Sequence, residues 1–118
     1  MLTLSQLLEK KCKPTTVALT DAQVADYLPA VDGWQRDGQC IVKRFDFKTY
    51  YETLAFIDAI AYVIHAEDHH PELTVTFDRC VVSFDTHSVN NGKGGLSEND
   101  FICAAKVDAI FQQSFARA

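Results

Sequence analysis

Pro71 is the residue that most constrains this chain, because the apolar pattern changes period across it. Upstream, Tyr50, Leu54, Ile57, Ala61 and Ile64 recur at steps of four, three, four and three, and Ala55, Ala59 and Tyr62 widen that stripe. This is the face of an amphipathic helix. Downstream, Leu73-Thr74-Val75-Thr76-Phe77 alternates strictly, as a half-buried strand does. Proline disfavours helical geometry at the residue before it. A helix entered near Phe47, with Thr49 and Glu52 as a capping pair, must therefore stop by about His69 and give way to a strand.

The alternation resumes in Cys80-Val81-Val82-Ser83-Phe84-Asp85-Thr86-His87. With Asp78 and Arg79 as the loop, Phe77 pairs with Cys80, Val75 with Val82 and Leu73 with Phe84, which gives one apolar face. The same register sets His70 opposite His87 on the other face, with Thr74, Ser83 and Asp85. An earlier hairpin is predicted from Trp34 to Asp46, turning at Asp37-Gly38 and returning through the β-branched pair Ile41-Val42. Thr20 and Gln23 form a capping box for a short helix over about 21–30. Ser97-Glu98-Asn99-Asp100 opens the last helix in the same way, and Phe101, Ala104, Ala105, Val107, Ile110 and Phe111 supply its core face.

The element order is thus α-β-β-α-β-β-α, an α+β fold with a four-stranded antiparallel sheet and three helices on one face. Residues 1–19 are weakly patterned and read as a loosely ordered N-terminal arm, with 20–118 as a single domain. The segment from Ser88 to Gly95 is rich in Gly and Asn and reads as a flexible loop; it lacks the spacing of a phosphate loop.

A chain of 118 residues is enough for one domain with an ordinary core, and 47% apolar content argues against disorder. The net charge of −5 disfavours a nucleic-acid phosphate backbone as a partner. Met1-Leu2-Thr3-Leu4-Ser5 has no signal-peptide pattern, and the apolar segment from Leu54 to Ile64 is broken by Asp58 and too short to span a bilayer. Cys12, Cys40, Cys80 and Cys103 are widely spaced and read as reduced thiols. These features predict a cytoplasmic protein with no membrane partner.

His65, His69 and His70 fall within six residues, and His87 is the chain's fourth histidine. Two chemistries compete. His65 and His69, four apart on a helix, are close enough to share a metal ion with Asp68 or Glu72. Against that, Pro71 ends the helix directly after them and no His-Glu-x-x-His motif is present. Metal-free acid–base catalysis needs one neutral imidazole and one imidazolium, and like charge between neighbouring rings favours one of each. The second chemistry, with no metal, is the better fit.

His69-His70-Pro71, five residues, Phe77, nine residues, His87 and then Asp100 resembles the signature of the pterin-4a-carbinolamine dehydratases. The resemblance extends to Gly33-Trp34, Phe45-Asp46-Phe47-Lys48 and Gly95-Leu96-Ser97-Glu98-Asn99-Asp100-Phe101, and covers about residues 30–112. It implies dehydration of 4a-hydroxytetrahydropterin to quinonoid dihydropterin, after an aromatic amino-acid hydroxylase has used the cofactor. The pterin is then substrate, and no cofactor is required. By the same resemblance His69, His70 and His87 line the pterin site, His69 and His87 are the acid–base pair, and His70 orients the ring. Trp34, Thr86 and Asp100 are the matching substrate-binding positions, although Trp34 also suits a core, Thr86 a strand and Asp100 the N3 position of a capping box. The resemblance further implies a homo-oligomer, dimer or tetramer. The competing functions are a transcription-coactivator module that docks through the long helix and, less favoured, a small metalloprotein. Two departures stand out: His65 where the family usually has an acidic residue, and an expanded loop at Asn90-Asn91-Gly92-Lys93.

Overall fold

Every α-helix among the described residues begins at a Ser or Thr whose side chain accepts a backbone N–H of the first turn, so the helix starts are written in the sequence. The computed structural model describes residues 2–116. Its elements in order are α1 (Leu4–Glu9), α2 (Asp21–Tyr27) with a 3-10 turn (Leu28–Ala30), β1 (Gln35–Asp37), β2 (Cys40–Asp46), α3 (Tyr50–Glu67), β3 (Glu72–Thr76), β4 (Arg79–Phe84) and α4 (Glu98–Ser114). The strands form one sheet in the order β1-β2-β4-β3 with every pairing antiparallel. The predicted α+β architecture is therefore present, with α1 as an additional helix. Residues 117–118 of the predicted domain lie outside the described residues. Among those described, no helix is long and apolar enough to cross a membrane.

The core lies between one sheet face and the helices. Ile41, Phe45, Cys80, Val82 and Phe84 alternate inward and are at most 1% exposed, while Val42, Arg44, Val81 and Ser83 on the other face remain half-buried or exposed. Lys43 is the polar exception on the inner face. Its ammonium donates to Asp108 Oδ1 at 3.0 Å and to the Asp32 carbonyl at 3.1 Å, and it sits 5.1 Å over the Phe45 ring. Burial raises the Asp108 carboxyl above its ordinary range, against the opposing bonds from Lys43 and Trp34.

Both hairpin turns differ from the predicted ones. In the first, Asp37 pairs with Cys40, so the loop is Gly38-Gln39, with Gly38 supplying the positive φ of 61° that such a turn needs. In the second, Thr76 pairs with Arg79 and the loop is Phe77-Asp78, not Asp78-Arg79. The physical reason lies at the entry to α3. The Thr53 hydroxyl donates to the Phe77 carbonyl at 3.0 Å, the Phe47 N–H donates to the Asp78 carbonyl at 2.8 Å, and the Phe77 ring stacks on Tyr50. The ladder consequently pairs Leu73 with Val82 and Val75 with Cys80, a slip of two residues. Two is one full side-chain period, so the apolar face survives. The His70–His87 cross-strand pair does not, because the ladder ends at Glu72 and Ser83.

The buried face of α3 is Thr53, Phe56, Ile60, Val63 and Glu67. Of the predicted stripe, Ile57 and Ile64 are half-buried, whereas Tyr50, Leu54 and Ala61 are exposed. The helix is apolar around much of its girth, and the aromatic cluster decides its rotation. Phe56 packs against Phe45 with ring centroids 4.8 Å apart and also meets Phe47, Phe111 and Phe115.

The N-terminal arm is docked rather than loosely held. Thr3 and Gln6 form a capping box for α1, Leu7 is fully buried in the core cluster, and Lys10 pairs with Glu98 of α4 at 3.1 Å. Tyr27 shares the same Glu98 carboxylate at 2.7 Å, and burial together with that bond pushes its hydroxyl pKa up to about 12. Leu7→Ala is therefore expected to cost about 3 kcal/mol of stability, as for other fully buried leucines. Urea unfolding checks this, since a loosely held arm would give almost no change.

Candidate active site

Where α3 ends, Asp68 adopts the left-handed conformation with φ of 50°, and the His69 N–H reaches back to the Ile64 carbonyl. Pro71 then commits the chain to β3. This reversal aims His69 inward. Its ring lies parallel to Phe84, 5.8 Å between centroids and 6° between planes, and its Nε2 is 2.6 Å from Asp100 Oδ1.

Asp100 is fully buried. Its Oδ2 accepts the Thr86 hydroxyl at 2.9 Å and the Ser97 N–H at 2.9 Å. The Ser97 hydroxyl lies 2.7 Å from Thr86 Oγ1 and accepts the Asn99 N–H. The two sequence-level roles of Asp100, helix cap and site residue, are thus one arrangement: Oδ2 closes the capping box and Oδ1 holds the histidine. An ionised carboxylate only accepts hydrogen bonds, so His69 carries its proton on Nε2 in this network and leaves Nδ1 with the free lone pair. Thr86 is fixed by its backbone as well, through a two-way bridge to Gly95 at 2.8 and 3.2 Å. A Cβ on Gly95 would come within 2.7 Å of Asn90 Nδ2 and 3.2 Å of Val89 Cγ2, so a larger residue there would displace the Asn90 amide from its bond to the Gly94 carbonyl. The loop predicted as flexible is correspondingly ordered, with Val89 fully buried and Asn90 Nδ2 donating to the Gly94 carbonyl at 2.9 Å.

His87 and His70 stand at the rim with side chains 83% and 70% exposed. His87 Nε2 is 3.1 Å from Asp85 Oδ1, and His70 Nε2 is 3.8 Å from Asp68 Oδ1. Such exposed pairs contribute little stability. All three histidines and Thr86 line one cleft of about 480 Å³, within the size range of small-molecule sites. His70 and His87, not cross-strand partners, still meet here because both flank the open end of the β3–β4 hairpin.

Trp34 is a core residue. It is 5% exposed, sits between Phe45 and Phe84, and donates its indole N–H to Asp108 Oδ2 at 3.1 Å. It does not line the cleft, but it backs the Phe84 ring on which His69 stacks. His65 is exposed on the last turn of α3 and is not brought to the cleft. Among the described residues no group of three His, Cys, Asp or Glu side chains is arranged to hold a metal ion.

One wall of the cleft escapes sequence reasoning. It is the arm segment from Cys12 to Thr15. The Cys12 N–H donates to Glu67 Oε1 at 2.8 Å, Lys13 N–H and carbonyl bind the Asn99 amide at 3.2 and 2.8 Å, and the Ser88 hydroxyl donates to the Thr15 carbonyl at 2.6 Å. Glu67 in turn takes the Lys106 ammonium at 2.7 Å. Burial works to raise the Glu67 carboxyl, but Lys106 and the Cys12 N–H prevail and hold it below its ordinary value. The only signals for these contacts were a glutamate at a buried helix position and an asparagine inside a capping box.

A family profile described as pterin 4 alpha carbinolamine dehydratase matches residues 17–110. A protein of Bdellovibrio bacteriovorus is 55% identical over 98% of this chain and 97% of its own length. One of Nitrosospira multiformis is 46% identical over 93% of this chain and 96% of its own length. Both carry pterin-4-alpha-carbinolamine dehydratase as an inferred name. Among solved structures, a Brucella melitensis protein described as a transcriptional coactivator/pterin dehydratase superposes with a TM-score of 0.71 and 33% identity, covering 79% of this chain and 97% of that one. A pterin dehydratase-like protein described as a RuBisCO assembly factor in the alpha-carboxysome gives 0.52 and 28%, covering 65% of this chain and 84% of that one. The chain belongs to the pterin-4a-carbinolamine dehydratase family.

Two outcomes follow from the site's internal bonding. Thr86→Val keeps the side-chain shape but removes a buried donor from Asp100, and is expected to cost about 2 kcal/mol in urea unfolding. Glu67→Gln tests the cleft wall through pH. A carboxyl lowered in the folded state contributes stability above its unfolded pKa and loses it as pH falls through the folded value. The Tm gap between wild type and Glu67→Gln should be widest at neutral pH and close below about pH 4; a gap independent of pH would contradict the Glu67–Lys106 clasp.

Proposed function

We propose that this protein dehydrates 4a-hydroxytetrahydropterin to quinonoid dihydropterin and water by histidine acid–base catalysis, within the recycling of a pterin used by an aromatic amino-acid hydroxylase. The observation that carries this reading is the 2.6 Å bond between His69 Nε2 and the fully buried Asp100, in a cleft that His70 and His87 also line. The pterin is substrate, and the chemistry needs no resident cofactor.

The substrate carries a hydrogen on N5 and a hydroxyl on C4a. Removal of the N5 proton releases an electron pair that forms the N5–C4a double bond as the C4a–O bond breaks. The departing oxygen needs a proton to leave as water. His69 suits the base: with Nε2–H directed at Asp100, its Nδ1 lone pair is free, and the imidazolium formed is stabilised by a carboxylate that cannot relax into solvent. His87 suits the acid: next to Asp85 and open to solvent, it regains a proton from water between turnovers. His70, at the same rim, suits binding and orientation of the ring. Thr86 and Asp100 act through His69, and Trp34 supports the Phe84 ring beneath it.

A second reading rests on the outer face of α3 and the β3–β4 turn whose Phe77 stacks on Tyr50. Tyr51, Tyr62 and Phe77 are 81%, 75% and 66% exposed, an aromatic surface that suits protein contact, whether self-assembly into a dimer or tetramer or a coactivator role. That surface is separate from the histidine cleft, so binding and catalysis are compatible.

Stopped-flow dehydration of 4a-hydroxytetrahydropterin separates the two. His69→Ala and His87→Ala are each expected to lower the rate by about 10²–10⁴-fold, the usual worth of a positioned acid or base. Equal rates for wild type and both variants would leave only the binding role.

A further inference from the structure

The wall of the cleft holds a pair of thiols that the proposed reaction does not use. Cys12 lies in the arm segment that lines the cleft and is partly exposed. Cys103 is fully buried on α4, three residues beyond Asp100. Their sulfurs are 3.5 Å apart, although the residues are 91 positions apart in sequence. Cys12 is in irregular chain, attached to its surroundings by the bonds to Glu67 and Asn99, so its side chain can move without disturbing a helix or strand. A disulfide needs about 2.05 Å between sulfurs, so closure takes a shift of roughly 1.5 Å. Cys40 and Cys80 have no sulfur contact of this kind with each other or with this pair among the described residues.

We propose that Cys12 and Cys103 form a reversible, peroxide-driven disulfide that clamps the cleft wall to the helix carrying Asp100. The inference stands independently of which reaction the cleft carries. The roles follow from position. Cys12, reached from the cleft, attacks hydrogen peroxide through its thiolate: the O–O bond breaks, Cys12 becomes a sulfenic acid, and the hydroxide leaving group takes up a proton as water. The Cys103 thiol then attacks the Cys12 sulfur, the S–O bond breaks, and the leaving hydroxide combines with the Cys103 proton as a second water. Two thiols are oxidised by two electrons and one peroxide is reduced. The hydrogen bond to Cys12 and burial keep the Cys103 thiol protonated in the resting protein, so Cys12 is the thiol that meets peroxide and Cys103 gives up its proton only to the hydroxide departing from Cys12. Disulfides of this transient kind are the ones compatible with a reducing compartment.

The experiment treats the protein with hydrogen peroxide, maps disulfides by non-reducing peptide mass spectrometry, and follows Tm and tryptic cleavage after Lys10 and Lys11. In wild type a Cys12–Cys103 linked peptide is expected, with cleavage in the arm slowed and Tm raised by on the order of 10 °C, the effect of closing a long loop. Dithiothreitol should reverse all three. Cys12→Ser, which keeps the side chain's size and its hydrogen-bonding position beside Cys103, should show none of them. Accumulation of sulfinic acid on Cys12 without a link, a link through Cys40 or Cys80 instead, or a linked protein with unchanged Tm and arm cleavage would each overturn the clamp. None of these readouts depends on pterin turnover, so the clamp and the dehydratase reading fail separately.

Discussion

A fully buried carboxylate, Asp100, is the group on which the rest of this structure depends. Taking an isolated charge out of water costs several kcal/mol even after the protein relaxes, so it survives only with strong donors aimed at it. Its three donors come from three different segments: His69 from the junction of α3 and β3, Thr86 from beyond β4, and Ser97 from the start of α4. Satisfying one group therefore fixes the relative position of two helices and a hairpin. The same requirement explains why the helix start and the histidine site coincide. A capping box needs an acceptor at N3, and a carboxylate has a second oxygen left over once the cap is made.

Much of this was legible in the sequence, for reasons that can be assigned residue by residue. Caps at Thr20, Thr49 and Ser97 depend on contacts within four residues, so local spacing reveals them. The inner face of β4 was legible because Cys80, Val82 and Phe84 keep parity under any even slip of register. The register itself was not, because it is set by bonds from Thr53 and Phe47 to the turn, contacts between a helix start and a hairpin tip. The rotation of α3 was hidden for a related reason. A helix apolar on several sides has no unique stripe, and the choice fell to Phe56 finding Phe45, Phe47 and Phe111.

The docked arm was least legible because its clasps use backbone atoms. The Cys12 N–H, the Lys13 N–H and carbonyl and the Thr15 carbonyl make the contacts, and no side-chain pattern records a backbone bond. What the sequence does contain is the receiving half, Glu67 two residues before His69 and Asn99 directly before Asp100, both unassigned by the motif. The helix in the arm is only six residues long, held by a capping box between Thr3 and Gln6, and is too short for the spacing of Leu4, Leu7 and Leu8 to be distinctive.

The cleft thus combines two histidine–carboxylate pairs in opposite surroundings. His69 and Asp100 are 11% and 0% exposed, with the carboxylate held by two further donors. His87 and Asp85 are 83% and 26% exposed, with the ring open to water. A buried pair keeps one ring orientation and one tautomer, which a group taking a proton from a fixed atom requires. An exposed pair exchanges protons with solvent, which a group that must be recharged each turnover requires. The asymmetry does not follow from the histidines, which are the same residue type in the same motif. It follows from what stands behind them: Phe84 and the start of α4 behind one, open solvent behind the other.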